Sequence, residues 1–240
     1  MRCILSILIL GMLAAAPAGA DSLSSALDAR ARLGSAVWSR VLRIENDNPG
    51  RPYPARLHAL VFELEGILWF YTDTNGTQSL SLHRGRLEQE KAALLPLLRD
   101  IEPGFRRFTD LTDRLPLVLP AARRELPHGC FVDSVAYYLA RCAAGRPPEE
   151  ASLLSYYFDT ASGRKGHTVL LFRERGRRWI YDPLDEGFLH PLSPLVGNQP
   201  LAVAAAINPP GRGRRPDRVV CLPLQAREPG PPALDQPAVL

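Results

Sequence analysis

The chain is expected to be an α+β protein: a helix opening on a cysteine, followed by an antiparallel sheet, and preceded by a small β-rich region. Three observations carry this. Between residues 57 and 82, apolar and polar side chains alternate around two turn dipeptides, Glu65-Gly66 and Asn75-Gly76, the pattern of an antiparallel meander. Residues 130–144 repeat apolar side chains at helical spacing, with Phe131, Val135, Leu139 and Cys142 in one stripe joined by Val132 and Ala136. Beyond that helix the chain returns to strand-like runs, including a hairpin that turns near Arg175-Gly176.

Taken in order, residues 1–20, "MRCILSILILGMLAAAPAGA", read as a signal peptide. Arg2 is a short basic region, the apolar run that follows is too short for a comfortable span, and Ala18 and Ala20 are the small residues before a cut after Ala20. The mature protein is therefore expected to be secreted or periplasmic, with no membrane span. Residues 21–120 form the β-rich region: a polar helix or leader (21–34), a strand (36–45), the meander, a helix (86–100) interrupted by Pro96, and a linker from 103 carrying Pro103, Pro116, Pro120 and Pro127. Residues 121–226 form the core: the helix 130–144 stopped by Gly145 and Pro147-Pro148, a strand at 153–158, the hairpin, and two more strands at 201–207 and 218–224. Residues 227–240 hold four prolines and read as a disordered tail.

Composition excludes some functions. The 240 residues have a mean hydropathy of −0.09 and a net charge of only +4. Of 29 basic residues only Lys91 and Lys165 are lysine, which leaves 27 arginines scattered among acids rather than gathered in a stripe with aromatics. Nucleic acid is not an expected partner. Past the signal three cysteines remain, Cys130, Cys142 and Cys221, and an odd number leaves at least one free thiol. Cys130 and Cys142, on one helix, would stand about 18 Å apart, beyond disulfide reach; a Cys142–Cys221 bridge stays open.

Cys130 follows Pro127, His128 and Gly129 and falls on the first turn of a helix, where unpaired N–H groups and the positive dipole end favour a thiolate. A base is available downstream. His167 begins the strand "HTVLLF" and Asp182 ends "RRWIYD". If Arg175-Gly176 is a two-residue loop, Glu174 faces Arg177, Val169 faces Asp182 and His167 faces Leu184. His167 and Asp182 are then diagonal neighbours on one face, about 7–8 Å apart at the backbone. Asp182 would accept from one ring nitrogen and leave the other for Cys130. Asp185 falls on the opposite face. Taken singly, Cys130 fits a buried core thiol, His167 a strand-end histidine and Asp182-Pro183 a turn. Order and spacing together point to nucleophilic catalysis: His167 takes the thiol proton, the thiolate attacks a carbonyl, and the Cys130 N–H stabilises the oxyanion. His128 lacks a second close pair of ligands, so no metal is expected. Trp69 and Trp179 read as core, and Tyr137, Tyr138, Tyr156 and Tyr157 as packing. His58, His83 and His190 read as surface or structural residues. Asn75-Gly76-Thr77 fits a glycosylation acceptor but reads better as a turn.

The stretches "HGCFVDSVAYYLAR", "GHTVLLF" and "RRWIYDP" resemble the transglutaminase-like, papain-type cysteine hydrolase core. The spacings, 37 residues from Cys130 to His167 and 15 from His167 to Asp182, suit its bacterial transglutaminase-like cysteine peptidase branch. Cell-wall endopeptidases and double-glycine leader peptidases are related alternatives; the latter favour Asp-Pro, as in Asp182-Pro183, but with a wider cysteine-to-histidine spacing. The resemblance covers residues 125–210. It implies a papain-like α+β fold, a Cys130–His167–Asp182 triad, no cofactor, and hydrolysis or acyl transfer at peptide or isopeptide bonds, of a cell-envelope peptide or protein given the export signal. Two departures stand out. No glutamine precedes Cys130 where a papain-like oxyanion hole would want one (Arg123, Arg124 and Glu125 are there), and Asp133, one turn beyond Cys130, opposes a thiolate. Both favour the alternative of a catalytically inactive envelope binding protein on the same scaffold. Residues 35–100 resemble no family.

Overall fold

Two-residue turns lay down both sheets. The computed structural model describes residues 22–50, 53–80, 91–112, 126–161, 163–185, 188–208 and 216–225. The expected signal peptide, residues 113–125 of the Pro-rich linker and the tail lie outside them. The described chain is mixed α+β, with four α-helices and two five-stranded antiparallel sheets. No described helix is long and apolar enough to cross a membrane.

Helix α1 (Ser22–Leu33) leads into β1 (Ser39–Asn46). Strands β2 (Arg56–Leu64), β3 (Ile67–Thr72) and β4 (Gly76–Leu80) are the expected meander, but its second turn is the three-residue Asp73-Thr74-Asn75, with Gly76 paired to Thr72 as the first residue of β4 rather than in an Asn75-Gly76 turn. Leu64 pairs with Ile67 across Glu65-Gly66, whose φ values of 52° and 71° match the right-handed twist of the flanking strands. Helix α2 (Lys91–Ile101) keeps Pro96 inside. Strand β5 (Phe105–Asp110) then pairs with β1, so the first sheet runs β4-β3-β2-β1-β5. The linker expected from residue 103 is thus in part an edge strand: Pro103 precedes it, where no ladder bond is lost.

Helix α3 (Cys130–Ala143) matches the expected helix, ending where Gly145 turns left-handed at φ 69°. Strands β6 (Glu150–Thr160), β7 (Gly163–Glu174), β8 (Arg177–Tyr181), β9 (Leu189–Pro191) and β10 (Arg218–Leu224) form the second sheet, in the order β10-β6-β7-β8-β9. Residues 201–207, expected as a strand, are instead helix α4 (Pro200–Ile207). A run with no polar residue has no period to read. Pro200 at the first helical position and four alanines between 202 and 206 decide for the helix.

The core has three clusters, and their order explains the layers. α2 covers the outer face of the first sheet through Leu94 and Leu98, against Val61, Phe70 and Phe105. α4 covers the outer face of the second through Val203 and Ala204, against Leu154, Tyr156 and Val169. The largest cluster joins the inner faces of both sheets, Phe62 and Trp69 from one and Leu153, Leu170 and Phe172 from the other, with α1 and α3. Phe131 of α3 lies 4.5 Å from Trp69, ring centre to ring centre, and 6.4 Å from Phe62.

Candidate active site

The turn before α3 is held in an unusual shape. His128 has φ 53°, in the left-handed region that only a few per cent of non-glycine residues enter, histidine more readily than most. Gly129 N–H closes the turn onto the Leu126 carbonyl at 2.9 Å, and the Gly129 carbonyl accepts the Asp133 N–H at 2.9 Å. A Cβ at Gly129 would stand 2.3 Å from Leu126 Cβ, so only glycine fits. The first sheet grips this turn from the other side. The Tyr71 hydroxyl of β3 donates to the Pro127 carbonyl at 2.9 Å, and His128 packs against Gly76, where a Cβ would meet its carbonyl oxygen at 3.0 Å. Tyr71 is fully buried, and burial holds its hydroxyl far above the ordinary value, so it remains a donor.

The second sheet supplies the other two residues. Glu174 pairs with Arg177 across Arg175-Gly176, whose φ values are 51° and 73°, so the loop has the two residues the register argument needs. The β7–β8 pairing stops at Leu170–Tyr181. Asp182 follows at the next rung, diagonal to His167, and His167 Nε2 lies 2.8 Å from Asp182 Oδ1. The same oxygen accepts the Leu184 N–H at 2.9 Å, which fixes the carboxylate in a local turn. Asp185 instead meets the His190 ring at 2.5 Å.

Where β8 leaves the sheet, α3 arrives. Ser134, one turn past the cysteine, donates to the Thr168 carbonyl at 3.3 Å, which brings the start of α3 beside the middle of β7; His167, expected to begin this strand, is its fifth residue. Cys130 is among the groups that raise the His167 pKa, which sets its thiol near the imidazole. Asp182 takes Nε2 and leaves Nδ1 as the ring nitrogen open to the cysteine. Tyr156 stands opposite His167 on β6, its ring edge-on at 5.6 Å, and closes the imidazole off from solvent. His167 is only 5% exposed. Burial alone would lower its pKa. The hydrogen bond that the ring gives to Asp182, together with the influence of Cys130 and the charges of both neighbours, overcomes that and raises it to about 9.

Each candidate residue therefore has a location. Cys130, His167 and Asp182 converge. Asp133 does point an acid at this end of α3, but its carboxylate is ion-paired with Arg32 of α1. Cys142 and Cys221 are both free thiols. Cys142 packs in the cluster on the α3 side of the second sheet, whereas Cys221 pairs with Leu154, whose side chain belongs to the opposite face. Trp69 is core, and Trp179 packs on its edge. Tyr138 and Tyr156 are buried, and Tyr137 stacks on Tyr181 at 4.0 Å. His58 is structural, its backbone N–H donating to Ser22 Oγ, which also lies 3.0 Å from its Nδ1, while His83 lies outside the described residues. Among the described residues, no group of three or more His, Cys, Asp or Glu side chains is arranged to hold a metal ion. A cavity of about 380 Å³ opens elsewhere, between α4 and the outer face of the second sheet, lined in part by Leu171, Arg173, Trp179 and Cys221; none of the three converging residues lines it.

Arg32, Tyr71 and Gly76 were not foreseeable as site residues. They lie 101, 56 and 52 residues from Asp133, Pro127 and His128, and no local pattern links such distant positions. Comparison of the chain with protein-family models, curated proteins and solved structures finds no match.

Proposed function

We propose that the protein is an exported cysteine hydrolase or acyltransferase with a papain-like, transglutaminase-like core, acting on peptide or isopeptide amide bonds through a Cys130–His167–Asp182 triad. The observation that carries this reading is the convergence of those side chains: a thiol on the first turn of a helix, near a buried imidazole whose Nε2 is 2.8 Å from a carboxylate.

The geometry suits a two-step acyl transfer. With its pKa raised to about 9, His167 already holds the proton that Cys130 gives up, and the thiolate sulfur attacks the substrate carbonyl carbon. The carbonyl electrons move to oxygen, facing the first-turn N–H groups of α3. On collapse the C–N bond breaks, the amine leaves with the proton from His167, and a thioester remains on Cys130. Water, or a second amine, then gives its proton to His167 and displaces the sulfur. Asp182 holds the ring and balances its charge throughout. The Arg32–Asp133 ion pair answers one of the two sequence departures that favoured an inactive protein.

Alkylation tests the reading. Mature protein is treated with iodoacetamide at pH 7 and each cysteine is followed by peptide mass. Cys130 should react fastest of the three, and His167→Ala should slow it at least tenfold, because the thiolate fraction at pH 7 falls when the imidazolium beside it is lost. Equal rates in both proteins would remove the catalytic role and leave the cleft to a binding function.

A further inference from the structure

Asp133 lies three residues past Cys130 on α3, on a neighbouring face of the first turns. A carboxylate there has opposed effects. It suits the positive end of the helix, and it repels a thiolate on Cys130. The guanidinium of Arg32 meets it from α1, 101 residues earlier, and both side chains are 19% exposed. Tyr71 senses Asp133, Arg32, Cys130 and Asp73 together, so these groups gather at one end of α3.

We infer that Arg32 is a positioning residue of the Cys130 site, acting through Asp133: it neutralises the carboxylate that would otherwise oppose the thiolate. The inference rests on the reading of Cys130 as nucleophile. Arg32 needs no contact with sulfur or substrate. The other titratable groups at this end come from every neighbouring element. They are His167 of β7 with Asp182 behind it, Tyr71 of β3, Asp73 in the turn after it, and His128 before α3, which also senses Lys165. His167 is the thiol's direct partner, and Tyr71 stays neutral by burial, so neither can cancel Asp133. Arg32 is the cation joined to it.

The test is the ratio of Cys130 alkylation rates at pH 6 and pH 9.5 in full mature protein, which reports charge near the sulfur rather than overall fold. Asp133→Asn, nearly isosteric, removes the negative charge beside the thiol and should raise the ratio about threefold. Arg32→Met should lower it about threefold, Arg32→Lys should keep it, and Arg32→Met with Asp133→Asn should return it near the wild-type value, effects sized for a partly exposed ion pair. An unchanged ratio in Asp133→Asn overturns the inference. So does a loss in Arg32→Met that persists in the double variant, because the role would then be packing. The ratios remain readable even if His167→Ala leaves Cys130 unaffected, an outcome that overturns the catalytic reading alone.

Discussion

Asp182 Oδ1 accepts from the His167 ring and from the Leu184 N–H at once. Asn at this position keeps an oxygen for the backbone but removes the charge that stabilises the imidazolium. Asp182→Asn should therefore bring the His167 pKa down from about 9, read by NMR titration of its ring protons, and slow Cys130 alkylation at least tenfold. The same elevation links stability to pH. The folded pKa, about 9, exceeds the unfolded 6.5. The protonated ring thus contributes fully below pH 6.5, and the contribution fades as pH rises through 9. Its size is of order 3 kcal/mol. Urea unfolding at pH 6 and pH 9.5 should reveal this loss in the wild type and a smaller one in His167→Ala. Gly129 matters through space alone: Gly129→Ala forces Cβ into Leu126 and should cost about 1–3 kcal/mol while displacing Cys130, measurable as lower Tm and slower alkylation.

The β3–β4 hairpin is the element that ties the first sheet to the site. Tyr71→Phe removes the bond to the Pro127 carbonyl and leaves that acceptor unsatisfied, at a cost of about 1–3 kcal/mol in urea unfolding. Element by element, legibility followed the strength of the local signal. Glu65-Gly66 and Arg175-Gly176 announce two-residue turns, and each turn fixes the parity of the strands it joins. That parity is why His167 and Asp182 could be paired from spacing alone. Residues 201–207 offered only an apolar run, and β5 was hidden by prolines on either side and by exposed Arg106 and Arg107 on an edge strand. Cys130 and its helix were legible because capping and periodicity act within a few residues. What grips the turn before it was not, because Tyr71, Gly76 and Arg32 reach it only through the tertiary fold.

At the scale of the molecule, one cluster joins both sheets through α1 and α3. Phe131 illustrates the dependence: its ring is 6% exposed and touches Trp69 and Phe62, both from the first sheet. Phe131→Ala should cost about 3–5 kcal/mol. A fragment of residues 121–226 alone would expose that face of α3, and it should fail to show the cooperative thermal transition of the mature chain.

The shared cluster also bears on how such a chain can be inherited. Recombination usually trades segments that carry their own interior. A crossover falling between β4 and α3 would deliver Cys130, His167 and Asp182 intact, yet strip the helix of the aromatic wall and the tyrosine that hold its first turn. The smallest unit that can be exchanged with its core intact runs from α1 to β10. The β-rich half is thus part of what holds the proposed site rather than cargo attached to it.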